Sequence, residues 1–186
     1  MSVFTPANQI TLLRMLLVPA FVSLVIYGYL GWALVVFTVA GLTDMLDGLI
    51  ARWSGQPSSL GAWLDPMADK FLAVSTFIVL SVPGLGLANP LPIWLTAMII
   101  TRDVVIVGTV AIVNLAVGRR TFKPSMLGKI ATATYMLTVV VAMFFNYLGH
   151  HSVVVDLFIW VSMAITILSS LHYIRHASRI IDSPSS

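Results

Sequence analysis

Long apolar runs, separated by short breaks rich in glycine, proline and polar residues, dominate the chain. A segment of about 20 mostly apolar residues can cross a bilayer as a helix, and glycine and proline interrupt such helices. The pattern predicts six transmembrane helices, at residues 9–28, 32–53, 64–82, 91–116, 126–147 and 153–176. The expected fold class is all-α, a polytopic membrane protein with a single membrane domain over residues 1–186.

Composition agrees with this architecture and narrows the chemistry. Of the 186 residues, 59% are hydrophobic and 9% are charged, against about 25% charged in a typical soluble domain. Cysteine is absent, which excludes disulfides and Cys-ligated metal centres and leaves Asp, Glu and His as metal ligands. The N-terminal residues MSVFTPANQI lack the pattern of a cleaved signal peptide, so the first apolar run is expected to be a permanent span.

Basic residues predict the orientation, because short cytoplasmic loops are enriched in Lys and Arg. The loops near residues 29–31, 83–90 and 148–152 contain none. The basic residues that lie in or border the other loops, or follow the last helix, are Arg52, Arg119, Arg120, Lys123, Arg175 and Arg179. An even number of spans then places both termini in the cytoplasm. The net charge of +3 is expected to attract anionic membrane lipids rather than nucleic acid, for which no binding module is recognisable.

All seven acidic residues are aspartates, and four of them lie within 26 residues at the ends of two successive apolar runs. Asp44 and Asp47 are spaced i, i+3, and Asp65 and Asp69 are spaced i, i+4, so each pair shares a helix face. The short loop between the runs predicts an antiparallel hairpin that brings both pairs together. Ionised acids at membrane depth are costly unless they are paired or metal-bound, and two nearby bases are too few for four acids.

A dense all-oxygen cluster suits Mg²⁺ or Mn²⁺, and four carboxylates are enough for two ions. Simpler interpretations exist for single residues. Asp65 before Pro66 fits a helix N-cap, and Asp44 alone fits an interhelical hydrogen-bonding group. Small residues lie between the acids, at Gly48, Ala51 and Gly61. They fit either close helix packing or the approach of a nucleotide to the backbone.

The segment DMLDGLIARWSGQPSSLGAWLDPMADK arranges eight residues at fixed spacing. They are Asp44, Asp47, Gly48, Ala51, Arg52, Gly61, Asp65 and Asp69. This arrangement resembles the complete signature of the CDP-alcohol phosphatidyltransferases. The resemblance extends over most of the chain, because Asn8, Thr11 and Arg14 form the NxxTxxR arrangement of glycerophospholipid members. The segments TRDVVIVG and PSMLGKIAT are similar to the same branch.

The resemblance implies metal-dependent transfer of the phosphatidyl group of CDP-diacylglycerol to an alcohol, with release of CMP. In the family the first three signature aspartates ligate metal, here Asp44, Asp47 and Asp65. The fourth, here Asp69, is the general base and can also contact metal. Donor binding maps to Asn8, Thr11, Arg14, Gly48, Ala51, Arg52 and Gly61. The family also implies a homodimer, and the predicted orientation places the active site on the cytoplasmic side.

Basic residues in and beside the fourth and fifth apolar runs indicate which class of alcohol accepts the phosphatidyl group. Arg102 and Lys129 lie within otherwise apolar helices and are expected to line a polar cavity. With Arg119 and Lys123 they predict an anion pocket. Such a pocket favours an acceptor that carries phosphate, and glycerol 3-phosphate is the simplest one, giving phosphatidylglycerophosphate. Asp103 either orients Arg102 or forms a structural ion pair with it.

Other acceptors and other protein classes stay open. The Arg102 and Asp103 pair followed by Val is similar to eukaryotic-type cardiolipin synthases, which would use phosphatidylglycerol, and inositol phosphate would give phosphatidylinositol phosphate. A cation channel or transporter explains the acids but not Arg52, the small residues or the spacing. A prenyltransferase acting on isoprenoid diphosphates would have two aspartate-rich motifs much further apart. CMP release from CDP-diacylglycerol distinguishes the predicted enzyme from both.

Overall fold

The computed structural model describes residues 6–54, 61–117 and 126–182, which form six α-helices and the segments between them. The helices are α1 (Pro6–Ile26), α2 (Leu30–Ser54), α3 (Gly61–Ser81), α4 (Ile93–Val117), α5 (Met126–Leu148) and α6 (Val153–Asp182). These ranges contain no β-strand. The predicted all-α fold with six helices is confirmed. Helix α1 starts earlier than predicted because Pro6 is favoured at a first helical position, where its missing N–H has no partner to lose.

Within residues 6–54, 61–117 and 126–182, two helical segments are long and apolar enough to cross a membrane. They are Met126–Leu148 and the Val153–Tyr173 part of α6. Large apolar side chains elsewhere are also strongly exposed, including Leu16 at 69%, Trp32 at 67% and Val104 at 64%. An apolar surface of this kind is expected against lipid and costly against water. These features point to a membrane protein, and the spanning of the bilayer by all six helices stays a prediction.

The contacts divide the chain into two compact units. The first comprises Met1–Leu91 and Val139–Ser152, and the second comprises Pro92–Thr138 and Val153–Ser186. Helix α5 therefore contributes its first part to the second unit and its last part to the first. The single membrane domain over residues 1–186 stays a prediction.

In the first unit, α1 packs against both α2 and α3. Each helix buries one face at the spacing of three and four residues that brings side chains to one side of a helix. Buried positions include Arg14, Val18, Phe21 and Val25 on α1, Ala33, Phe37 and Ala40 on α2, and Ala68, Leu72 and Thr76 on α3. The faces of α1 and α2 meet, since the ring centroids of Phe21 and Phe37 lie 5.7 Å apart.

A glycine turn reverses the chain between α1 and α2. Gly28 has a φ of 78°, a backbone conformation that only glycine adopts without a steric penalty. The Gly28 N–H donates to the Val25 carbonyl oxygen at 3.1 Å, and the Tyr29 N–H donates to the Leu24 carbonyl oxygen at 2.8 Å. This is the Schellman pattern of helix ends. Helix α2 begins at Leu30, so α1 and α2 run in opposite directions.

Four hydrogen bonds join the loop after α3 to the end of α5 and to the segment that follows α5, and we call them the Asn89 clamp. The Asn89 backbone N–H donates to Asn146 Oδ1 at 2.6 Å, and Asn146 Nδ2 donates to the Asn89 carbonyl oxygen at 3.2 Å. The Asn89 side chain accepts from the Ser152 N–H at 2.8 Å and donates to the His150 carbonyl oxygen at 2.7 Å. Two of the three loops that lack Lys and Arg are therefore held together.

The third of these loops lies beside the same end of α5. Gly31, at the start of α2, approaches Tyr147 so closely that a Cβ on Gly31 would lie 2.9 Å from Tyr147 Cε2. All three predicted loops without basic residues thus gather at one end of the first unit. Such an arrangement is required if these loops share one side of the membrane, and which side that is stays a prediction.

In the second unit, hydroxyl groups join α6 to α5. Thr138 and Ser162 pair through their side-chain oxygens at 2.8 Å, and Tyr135 Oη pairs with Thr166 Oγ1 at 2.6 Å. All four residues are buried. Hydroxyl pairs of this kind link helices where water cannot satisfy the polar groups. Helix α4 packs against α6 in the same unit.

Candidate active site

The four signature aspartates lie on the two helices that pack against α1. Helix α2 contains Asp44 and Asp47, and helix α3 contains Asp65 and Asp69. The structure describes the backbone at these positions, and their side chains lie outside the described part. Among the side chains that are described, no group of three His, Asp or Glu residues could hold a metal ion. A metal site at these aspartates stays a prediction, and helix register shows which positions the aspartates occupy.

The register of the buried residues places the aspartate positions. On α2 the buried residues Ala33, Phe37 and Ala40 follow steps of four and three residues, and the same steps lead to positions 44 and 47. On α3, positions 65 and 69 each lie three residues before a buried residue, Ala68 and Leu72 respectively. Residues at such spacing share a helix face. Both aspartate pairs thus occupy positions that continue the packed faces of their helices.

A buried arginine on α1 lies level with the first aspartate position. Arg14 is 1% exposed and lies seven residues before Phe21, and Asp44 lies seven residues after Phe37. The two phenylalanines are in contact, and α1 and α2 run in opposite directions. Seven residues back along α1 and seven residues forward along α2 therefore reach the same level along the helix axes. Seven residues correspond to about 10 Å of helix. The structure therefore brings one predicted donor-binding residue to the level of a predicted metal ligand.

The other predicted donor-binding residues lie on the same three helices. Asn8 and Thr11 occupy the first turns of α1, and Gly61 is the first residue of α3. Gly48, Ala51 and Arg52 follow the aspartates on α2. The side chains of these residues lie outside the described part of the structure, so their roles stay predictions.

The predicted acceptor residue Arg102 is buried in α4, with 7% of its side chain exposed. Its Nη1 donates to Asp103 Oδ1 at 2.8 Å, and its Nη2 donates to Ser169 Oγ of α6 at 2.9 Å. Its Nε is buried and has no hydrogen-bond partner among the described residues. The charge of Arg102 is therefore paired, which removes the argument from an unpaired charge. The guanidinium is held in place and keeps one buried N–H, on Nε, that no described residue accepts.

The other predicted acceptor residues receive less support. Lys129 is exposed on α5, so burial gives no reason to place it in a polar cavity. Arg119 and Lys123 lie outside the described residues. Among the four predicted cations, Arg102 alone is buried in the part of the chain that the structure describes.

Sequence reasoning missed Ser169, the hydroxyl that bonds Arg102. A signal was present, because Ser162, Thr166 and Ser169 follow one another at i, i+4 and i+7 in an otherwise apolar helix. This spacing predicts one polar stripe on α6. It does not predict which helix the stripe meets, and the structure shows that it meets both α5 and Arg102 of α4.

Comparison with known proteins places these features in a family. A model of the CDP-alcohol phosphatidyltransferase family matches residues 4–168. The chain is 33% identical over 182 residues to a probable phosphatidylglycerophosphate synthase of Mycobacterium tuberculosis H37Rv, covering 93% of this chain and 81% of that protein. It is 33% identical over 195 residues to a CMP-forming cardiolipin synthase of Homo sapiens, covering 95% of this chain and 62% of that protein. A probable CMP-forming cardiolipin synthase of Drosophila melanogaster is 34% identical over 170 residues, covering 80% of this chain and 51% of that protein.

Proposed function

Because the chain belongs to the CDP-alcohol phosphatidyltransferase family, we propose that it transfers a phosphatidyl group from CDP-diacylglycerol to glycerol 3-phosphate. The chain is an enzyme, and its relatives include phosphatidylglycerophosphate and cardiolipin synthases. The proposed products are phosphatidylglycerophosphate and CMP. The observation that carries the choice of a phosphate-bearing acceptor is the burial of Arg102 in α4 with its Nε–H unused among the described residues.

The donor site lies in the first unit in this proposal. Four carboxylates at register positions of packed helix faces form an all-oxygen set that fits Mg²⁺ or Mn²⁺. Asp44, Asp47 and Asp65, together with Asp69, would hold one or two ions. When bound, such an ion stabilises negative charge on the donor pyrophosphate and on the departing CMP. Arg14, buried level with Asp44, supplies a guanidinium suited to a donor phosphate.

The transfer itself needs one base and one aligned hydroxyl. Asp69 takes the proton of the acceptor hydroxyl, and the hydroxyl oxygen attacks the phosphorus that carries the diacylglycerol ester. The bond from that phosphorus to the bridging oxygen breaks, and CMP leaves with the electron pair. General-base catalysis and alignment of the reacting atoms are the contributions that these residues make.

A phosphate monoester suits the Arg102 site better than a neutral alcohol. The guanidinium has five N–H donors in a fork that matches phosphate oxygens, and two of its nitrogens are engaged by Asp103 and Ser169. A site with buried N–H groups loses much of its affinity when the substrate lacks the group that would accept hydrogen bonds from them. Glycerol should therefore fail where glycerol 3-phosphate is used. Phosphatidylglycerol is the second candidate, because the relatives include a CMP-forming cardiolipin synthase and a probable one.

The proposed membrane arrangement has six spans, with both termini and the active site in the cytoplasm. The gathering of the three loops without Lys or Arg at one end of the first unit supports it. The basic segments that include Arg119 and Lys123 would then lie on the opposite side, as the distribution of basic residues requires. A homodimer, which the family resemblance implies, belongs to the same proposal.

The proposal is tested by measuring CMP release from CDP-diacylglycerol with purified protein. We expect release with glycerol 3-phosphate and none with glycerol. Arg102→Ala should raise the acceptor KM by about tenfold or more, since a charged hydrogen bond contributes about 1.5 to 3 kcal/mol, and should leave the donor KM unchanged. Lys129→Ala is the comparison, and the exposure of Lys129 predicts a smaller effect. Equal use of glycerol and glycerol 3-phosphate would contradict the proposed acceptor class.

A further inference from the structure

Three hydroxyl residues form a buried stripe on α6, which we call the hydroxyl stripe: Ser162, Thr166 and Ser169. Each is at most 2% exposed, and each bonds a side chain on another helix. Ser162 pairs with Thr138 and Thr166 pairs with Tyr135, so two members of the stripe bond neutral hydroxyls of α5. Ser169 differs, because it bonds the cationic Arg102 of α4.

Ser169 and Asp103 hold the guanidinium of Arg102 at two points. Asp103 is the next residue along α4, so its carboxylate moves with the same helix turn as Arg102. Ser169 belongs to α6 and is 67 residues away in sequence, so its hydrogen bond fixes the guanidinium relative to a second helix. A planar group that is fixed at two of its nitrogens keeps one orientation, and its third nitrogen, Nε, then points in a defined direction.

We propose that Ser169 is a positioning residue for acceptor recognition, which orients the Arg102 guanidinium through the hydrogen bond between Ser169 Oγ and Arg102 Nη2. This inference rests on the proposed function of Arg102 as a ligand of the acceptor phosphate. Removal of the Ser169 hydroxyl leaves Asp103 as the remaining described hydrogen-bond partner of the guanidinium. The guanidinium then samples more orientations. Its N–H groups are therefore less often oriented to form hydrogen bonds with the phosphate of the acceptor substrate.

The test measures kcat, the KM for glycerol 3-phosphate and the KM for CDP-diacylglycerol in Ser169 variants. Ser169→Ala should raise the KM for glycerol 3-phosphate by about 3- to 10-fold, while kcat and the donor KM stay within about twofold, as expected for loss of part of one charged hydrogen bond. Ser169→Thr keeps the hydroxyl and should return the acceptor KM toward the wild-type value. Ser169→Cys, with a weak acceptor of similar size, should raise the acceptor KM, and it serves as the second variant if Ser169→Ala does not fold.

Ser162→Ala is the matched control, because it deletes an equally buried hydroxyl of the same stripe whose partner is Thr138 rather than Arg102. It should leave the acceptor KM unchanged even if the melting temperature falls as much as in Ser169→Ala. In an Arg102→Ala background, Ser169→Ala should add no further rise in acceptor KM, since two residues acting through one interaction are not additive.

The outcomes separate this inference from the proposed function. If Arg102→Ala raises the acceptor KM and Ser169→Ala behaves like Ser162→Ala, the positioning role is overturned and the acceptor role of Arg102 stands. If Arg102→Ala leaves the acceptor KM unchanged, the acceptor role fails and the positioning role fails with it. If the wild-type protein releases no CMP with glycerol 3-phosphate, the proposed acceptor itself is wrong.

Discussion

The Asn89 clamp predicts a large loss of stability from one small substitution, Asn146→Ala. Asn146 satisfies both backbone groups of Asn89, accepting from its N–H and donating to its carbonyl oxygen. Both asparagines are 3% exposed, so the substitution leaves a buried donor and a buried acceptor unpaired. Each unsatisfied group costs about 1 to 3 kcal/mol. We expect a loss of about 2 to 4 kcal/mol, in the lower part of the summed range of about 2 to 6 kcal/mol.

Thermal unfolding in detergent at a fixed scan rate measures this loss. For a chain of this size each kcal/mol corresponds to about 2 to 4 °C, so the melting temperature of Asn146→Ala should fall by about 4 to 16 °C. Asn89→Ala should cost less, because it removes the bonds to Ser152 and His150 and keeps both backbone bonds to Asn146. The fixed scan rate matters because the apparent melting temperature depends on scan rate when unfolding is irreversible.

His150→Ala is the control for the clamp. His150 contributes its backbone carbonyl oxygen to the clamp, and its exposed side chain can be removed without breaking that bond. Exposed substitutions usually change stability by no more than about 0.5 kcal/mol. If Asn146→Ala lowers the melting temperature no more than His150→Ala does, the clamp does not stabilise the first unit and the reasoning is refuted.

Three further predictions concern the donor, the base and the topology. Arg14→Met should raise the KM for CDP-diacylglycerol by about tenfold or more without changing the acceptor KM, and an unchanged donor KM in initial-rate measurements would argue against a phosphate-binding role. Asp69→Asn should abolish turnover but retain donor binding in equilibrium measurements, whereas Asp44→Asn should weaken metal and donor binding together; near wild-type turnover of Asp69→Asn would remove it as the base. In this cysteine-free chain, Gly86→Cys and Thr121→Cys should be labelled by an impermeant reagent from opposite sides of the membrane, and labelling of both from one side would contradict the topology.

The helices were predictable because long apolar runs with glycine and proline between them have few alternatives in a chain this apolar. Their ends were less predictable. Helix α6 continues to Asp182, six residues past the expected end at 176. The apolar run ends near His172 and Arg175, but backbone hydrogen bonding continues a helix beyond the point where its side chains stop being apolar.

The partners of the polar residues were the part that sequence reasoning could not supply. Spacing places Asp44 and Asp47 on one helix face, but the level of Arg14 follows only once Phe21 is known to contact Phe37. An asparagine in a loop rich in glycine and proline, such as Asn89, gives no sign that it bonds the end of a helix 57 residues later. A single sequence shows which residues share a face of each helix, but it does not show which faces of two helices meet.

The most direct test of the central claim is a competition between the two candidate acceptors. Purified protein is given CDP-diacylglycerol with glycerol 3-phosphate and phosphatidylglycerol together, and the lipid products are identified by mass while CMP is measured. The account predicts phosphatidylglycerophosphate in amounts that match the CMP released, and a loss of that product in Arg102→Ala. Cardiolipin without phosphatidylglycerophosphate would contradict the proposed acceptor, and absence of CMP with either acceptor would contradict the proposed reaction.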